Sequence, residues 1–238
     1  MKVKADQLIA HIEKAYVGGL VNEMVLDESF RFHVTDDAKF VLSVSNIGLG
    51  ESGFGAIGVF DLGLFIKTIQ FASSRLESKD SELEFVVEGN HLVFKLPKGE
   101  LKFLLSDVGA IGSTVNNIDD VLEKVGAVPA IELPVVKADF DSVIEAISLY
   151  TPDWLHINVE EGKVNILVGA KTQHVWSDCL GETDSSESFS LKFHPAVFTK
   201  VFSILPYDAG VDLEIRPGMP MVLVSDAYTV LIAPMKEE

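Results

Sequence analysis

The chain has 238 residues, 47% of them hydrophobic, which excludes a disordered protein and suffices for one large or two small domains. Lys and Arg number 19 against 36 Asp and Glu, a formal net charge of −17, so nucleic acid can be held only where the few cations gather on one surface. No apolar run reaches the ~20 residues of a membrane span, the amphipathic N-terminus lacks the apolar core of a signal peptide, and a lone cysteine, Cys179, suits a reducing, cytoplasmic setting.

Ala5–Tyr16 predicts a helix: Leu8, Ile9, Ile12 and Tyr16 form an apolar stripe, while Lys4, Gln7, His11 and Lys14 recur on the opposite face. Phe30–Val34 and Phe40–Val44 predict the arms of a hairpin. Gly48, Gly50 and Gly53 match G-x-G-x-x-G, but the apolar strand Ala56–Phe60 follows where a dinucleotide site needs a helix N-terminus. The glycines are therefore read as a loop between strands. Asp61–Ser74 predicts a second helix, with Leu62, Phe65, Ile66 and Ile69 inward and an acid-free face of Gly63, Lys67, Gln70 and Ser74; Arg75 follows it. Glu82–Val87, His91–Leu96 and Glu100–Ser106 predict a three-stranded meander.

Val108–Pro134 is punctuated by Gly, Asn and Pro and reads as a connector, with a short helix near Asn117–Val125. Beyond it, Ala138–Tyr150 predicts a third helix, and Leu155–Val159 with Lys163–Val168 a hairpin. Strands Thr172–Cys179 and Ser188–Phe193 flank an acidic loop, Glu182–Glu187. Pro195–Leu205 predicts a fourth helix, Pro195 suiting its first position. Strands Val211–Ile215, Met221–Ser225 and Tyr228–Ala233 precede the tail Pro234–Glu238.

The order of elements before the connector recurs after it. Phe60, Phe65 and Lys67 correspond to Phe193, Phe198 and Lys200, each displaced by 133, and Val3–Asp6 recurs as Val136–Asp139 at the same displacement. The reading is an α+β chain of two tandem domains, 1–107 and 135–238, joined by the connector 108–134. Catalysis finds little support. The six histidines are scattered without metal-ligand spacing, and the acid pairs Asp36-Asp37, Asp119-Asp120 and Glu160-Glu161 fall at turns or in the connector. No catalytic residue, metal or cofactor is expected.

This arrangement resembles the DNA polymerase sliding clamps over the whole chain. The resemblance is nearest to the clamps of T-even-type phages, then to the proliferating-cell nuclear antigen family. The residues that carry it are the opening amphipathic helix and hairpin, Val59-Phe60-Asp61-Leu62, the segment Lys137–Ile147 with the hairpin Asn158–Leu167, and the C-terminal Gly218–Val222 and Leu231–Pro234. The resemblance implies a non-enzymatic homotrimeric ring of six domains, lined by helices, that encircles duplex DNA without reading sequence and tethers the replicative polymerase. The DNA-facing residues it implies are Lys4, His11, Lys14, Lys67, Arg75, Lys137 and Lys200, loose phosphate contacts suited to sliding. Asp141 and Glu145 depart from this pattern on the third helix. Subunits would pair edge strands through Leu101, Phe103 and Leu105 of one and Val175, Ser177 and Cys179 of the next. Short peptides of the polymerase and the clamp loader would dock on Phe40, Pro220, Leu231 and Pro234, with Ile118 or Ile131 from the connector. A scaffold built from a duplicated α+β domain without DNA binding fits the same composition, and an α/β enzyme using the glycine loop is a third reading.

Overall fold

The computed structural model describes residues 1–76, 78, 81–112, 118–169 and 175–235. Predicted positions 113–117 of the connector, 172–174 of the strand ending at Cys179, and the tail 236–238 lie outside the described residues.

The first series of elements is β1 (Lys2–Lys4), α1 (Ala5–Tyr16), β2 (Met24–Leu26), β3 (His33–Thr35), β4 (Val41–Ser45), β5 (Ile57–Val59), α2 (Leu62–Ser73), β6 (Glu82–Glu88), β7 (His91–Leu96) and β8 (Gly99–Leu104). After a short helix, α3 (Ile118–Gly126), the second series is β9 (Ile131–Pro134), α4 (Lys137–Tyr150), β10 (Trp154–Glu160), β11 (Lys163–Gly169), β12 (Val175–Glu182), β13 (Phe189–Phe193), α5 (Pro195–Phe202), β14 (Asp212–Ile215), β15 (Met221–Val224) and β16 (Tyr228–Ile232). The two series match element for element. Their details repeat as well. α1 and α4 each end on a non-glycine residue in the left-handed region, Val17 (φ 45°) and Thr151 (φ 44°). α2 and α5 each start from a side-chain cap: the Asp61 carboxylate accepts the Leu64 N–H at 2.7 Å, and His194 Nδ1 accepts the Ala196 N–H at 3.3 Å.

Two compact units divide the chain: residues 1–37 with 43–116, and 38–42 with 117–238. In the first, an antiparallel sheet runs β1-β6-β7-β8. β1 is too short to be read from periodicity. It forms because Val3 turns inward between outward Lys2 and Lys4, Lys2 reaches Glu84 at 3.1 Å, and the Met1 ammonium donates to Phe85 O. The apolar stripes of α1 (Leu8, Ile12) and α2 (Phe65, Ile69) are fully buried, and the ring of Phe65 meets those of Phe94 and Phe103.

The second unit repeats this sheet as β9-β14-β15-β16 and adds β12-β11-β10-β13. Phe140 of α4 stacks on Phe202 of α5 at 4.2 Å, and Phe198 on Phe202 at 4.1 Å. The stretch read as connector is more ordered than its composition predicts. Its end alternates Ile131 and Leu133 inward with Glu132 and Pro134 outward and pairs as β9 with β14.

Candidate nucleic-acid interface and partner surface

The cations divide by what surrounds them. In the first unit, Lys4 caps α1 and Lys67 stands on the outer face of α2; both are exposed, and neither forms an ion pair among the described residues. Arg75, also exposed, lies over the Phe71 ring at 4.7 Å. With Phe71, Ser74, Leu96, Pro97 and Lys98 it lines a cleft of about 570 Å³. Lys98, in the β7–β8 turn, escaped the sequence reading because only folding brings it beside α2.

His11 and Lys14 are set differently, although they share a helix face with Lys4. His11 is half-buried, donates from Nε2 to Phe30 O, and meets the Phe32 ring edge-on at 5.0 Å. Burial pulls its pKa below 6.5, against the pull of that hydrogen bond and of Asp27. Burial likewise lowers the Lys14 ammonium, with the Glu13 charge opposing. His11 is thus a packing group for the hairpin, and Lys14 a partly desolvated cation.

In the second unit, Lys137 opens α4 but is bound to Asp141 at 2.6 Å and lies over the Tyr207 ring at 5.7 Å. Burial, aided by Asp141, pushes the Tyr207 hydroxyl up to about 12. With Glu145 exposed beyond Asp141, α4 offers no net positive charge. Lys200, in the last turn of α5, is half-exposed.

The residues expected to dock a peptide all belong to the second unit. Phe40 is half-exposed; its carbonyl accepts the Ala233 N–H at 2.8 Å and its ring lies 6.1 Å from His194. Pro220 and Pro234 are half-exposed. Leu231 is only 3% exposed, because it pairs across strands with Val222 and the two pack with Val125 of α3. Val121 and Leu122 of α3, with Leu42 and Val224, complete that cluster. Ile118 is half-buried on the same helix, and Ile131 is taken up in the β9–β14 pairing opposite Ile215. Val121, Leu122 and Val125 were not among the residues expected here, although their spacing with Ile118 is that of one helix face.

β8 and β12 each end a sheet. On β8, Leu101 is half-exposed and Phe103 is buried against Phe60 and Phe65, with Leu105 just beyond. On β12, Val175, Ser177 and Cys179 are exposed. Each edge also carries a large exposed hydrophobic, Leu104 (46%) and Val175 (53%). Among the described residues, no cluster of His, Cys, Asp or Glu could hold a metal ion, and no helix is long and apolar enough to cross a membrane.

This doubled α+β arrangement, with two helices and antiparallel sheet strands in each series, is the DNA-clamp fold. PCNA from Thermococcus kodakaraensis matches with a TM-score of 0.71 over 98% of both chains, at 17% identity. A. fulgidus PCNA, solved with the C-terminal region of FEN-1 bound, gives 0.72 over 100% of this chain and 98% of that one, at 15% identity. The DNA polymerase III β subunit from Pseudomonas aeruginosa gives 0.72 over 100% of this chain and 65% of its own, at 9% identity. No protein-family model matches the sequence, and no curated protein matches it either.

Proposed function

We propose that the chain is a sliding clamp: a homotrimeric ring that encircles duplex DNA and tethers a replicative polymerase. The observation that carries this is the element-for-element repeat together with its edges. β4 in the first series is the counterpart of β12 in the second, and β8 is the counterpart of β16. Residues 38–42, which lead into and begin β4 and count with the second unit, run beside β16, where Ala233 N–H donates to Phe40 O. The chain thus makes this kind of pairing once within itself. β12 and β8 are left to make it between copies. Such a head-to-tail contact closes into a ring when its rotation allows.

The clamp domains follow the two series of elements: the first spans 1–107, and the second, read as 135–238, also takes in β9 (Ile131–Pro134) of the connector 108–134 through its pairing with β14. Lys4, Lys67, Arg75 and Lys200 supply the DNA-facing charge, and Lys137 contributes only when Asp141 releases it. The rest of a surface of charge −17 repels DNA from the outside. Phe40, Pro220, Leu231 and Pro234 mark the docking patch for polymerase and loader peptides. Within the clamps, the T-even phage type rests on the sequence resemblance alone, and a host-cell cytoplasmic setting would go with it.

Topological binding distinguishes a clamp from a scaffold. The protein should crosslink to a linear duplex with free ends and lose that signal when streptavidin blocks both ends before mixing. Equal crosslinking to blocked and open duplex would mean ordinary surface binding, and none to either would favour the scaffold.

A further inference from the structure

β15 and β16 are apolar on both faces. Leu223 and Val230 pair on one face, 1% and 0% exposed, and join the core; Val222 and Leu231 pair on the other. That second face would be an open hydrophobic patch, extended by Leu42 and Val224, were it not covered by α3. α3 presents Ile118, Val121, Leu122 and Val125 at i, i+3, i+4 and i+7, and leaves Asp120, Glu123 and Lys124 in water. It has nine residues, fewer than the ~12–15 that hold a helix together in water without packing. Beyond its end, the buried Arg216 donates from Nε to Val128 O at 2.7 Å and from Nη2 to Glu214 at 2.6 Å, which ties the segment after α3 to the sheet.

We propose that α3 is a displaceable cover, occupying in the free chain the site that takes an amphipathic helical segment of a partner with the same i, i+3, i+4, i+7 apolar spacing. The partner's identity rests on the clamp reading; the displacement rests only on packing within the second unit. A partner segment must compete with α3, so its affinity is set in part by how well this chain's own helix holds. Gly126, at the end of α3, has nothing within 4 Å of an added Cβ, so Gly126→Ala strengthens the helix without touching the patch. Val121→Ser with Val125→Ser weakens its grip.

The test is thiol labelling of the full chain in a Cys179→Ser background, carrying either Leu231→Cys under α3 or Leu223→Cys on the core face. A cover that opens locally makes Leu231→Cys react about 100-fold faster than Leu223→Cys, which waits for global opening. Gly126→Ala should slow the Leu231→Cys reaction by roughly fivefold, one glycine-to-alanine helix difference, and the double serine variant should speed it. In that double variant, an excess of synthetic peptide copying residues 117–128 should restore protection. Equal rates at the two positions would make α3 permanent core and overturn the proposal. Fast labelling that the peptide does not slow would overturn the helix-docking half. Neither result bears on threading over DNA, which the end-blocked duplex reads separately.

Discussion

At the scale of single residues, position on a helix face decided less than depth. Lys4, His11 and Lys14 share one face of α1, yet only Lys4 is open to solvent. The hairpin that brings Phe30 and Phe32 against His11 is distant in sequence, so periodicity could not foresee its desolvation. That burial has a consequence for stability. With its folded pKa held below 6.5, His11 stays neutral while the unfolded chain takes up a proton first. Its stabilising contribution is therefore complete above about pH 6.5 and is lost as the pH falls below that towards the lowered folded value. His11→Gln should flatten the pH dependence of the urea midpoint between pH 7 and 5, whatever it does to the absolute level. An unchanged slope would mean that His11 is not the titrating group. The Lys137–Asp141 pair, both partners about half or more exposed, contributes little to stability, at most about 0.5 kcal/mol; its role is to cancel a charge.

At the scale of elements, the longer helices and strands were legible because each carries one clear period. α1 matches its predicted bounds, and α2, α4 and β6 fall within one or two residues of theirs. What sequence could not show were elements that exist only through pairing. β1 is three residues held by β6, and β9 hides in a proline-bounded stretch that becomes a strand beside β14. The candidate surface was legible in the same measure. The exposed lysines followed from patterning, whereas the cover over Leu231 required knowing that α3 folds back onto β15 and β16. Leu104 on β8 and Val175 on β12 are exposed in the single chain. If these edges pair between copies, Leu104→Asp or Val175→Asp should shift the assembly to monomer, read as mass by light scattering, while leaving the circular dichroism spectrum unchanged. A trimer that persists with both substitutions would place the contact elsewhere.

At the scale of the whole molecule, charge is the governing quantity. In the proposed ring, three copies would carry 3 × −17 = −51, so DNA would enter only a surface where local lysines outweigh the general field. The Lys4→Glu, Lys67→Glu, Lys137→Glu and Lys200→Glu variant should keep its assembly and lose stimulation of polymerase synthesis; undiminished stimulation would refute the assigned DNA face. All of this presupposes the ring. The measurement that tests it most directly is negative-stain imaging of the purified protein, with mass determined on the same sample. A closed clamp gives threefold class averages with a central hole and a mass of three 26.0 kDa chains. Compact monomers at every concentration, even after crosslinking, would contradict it.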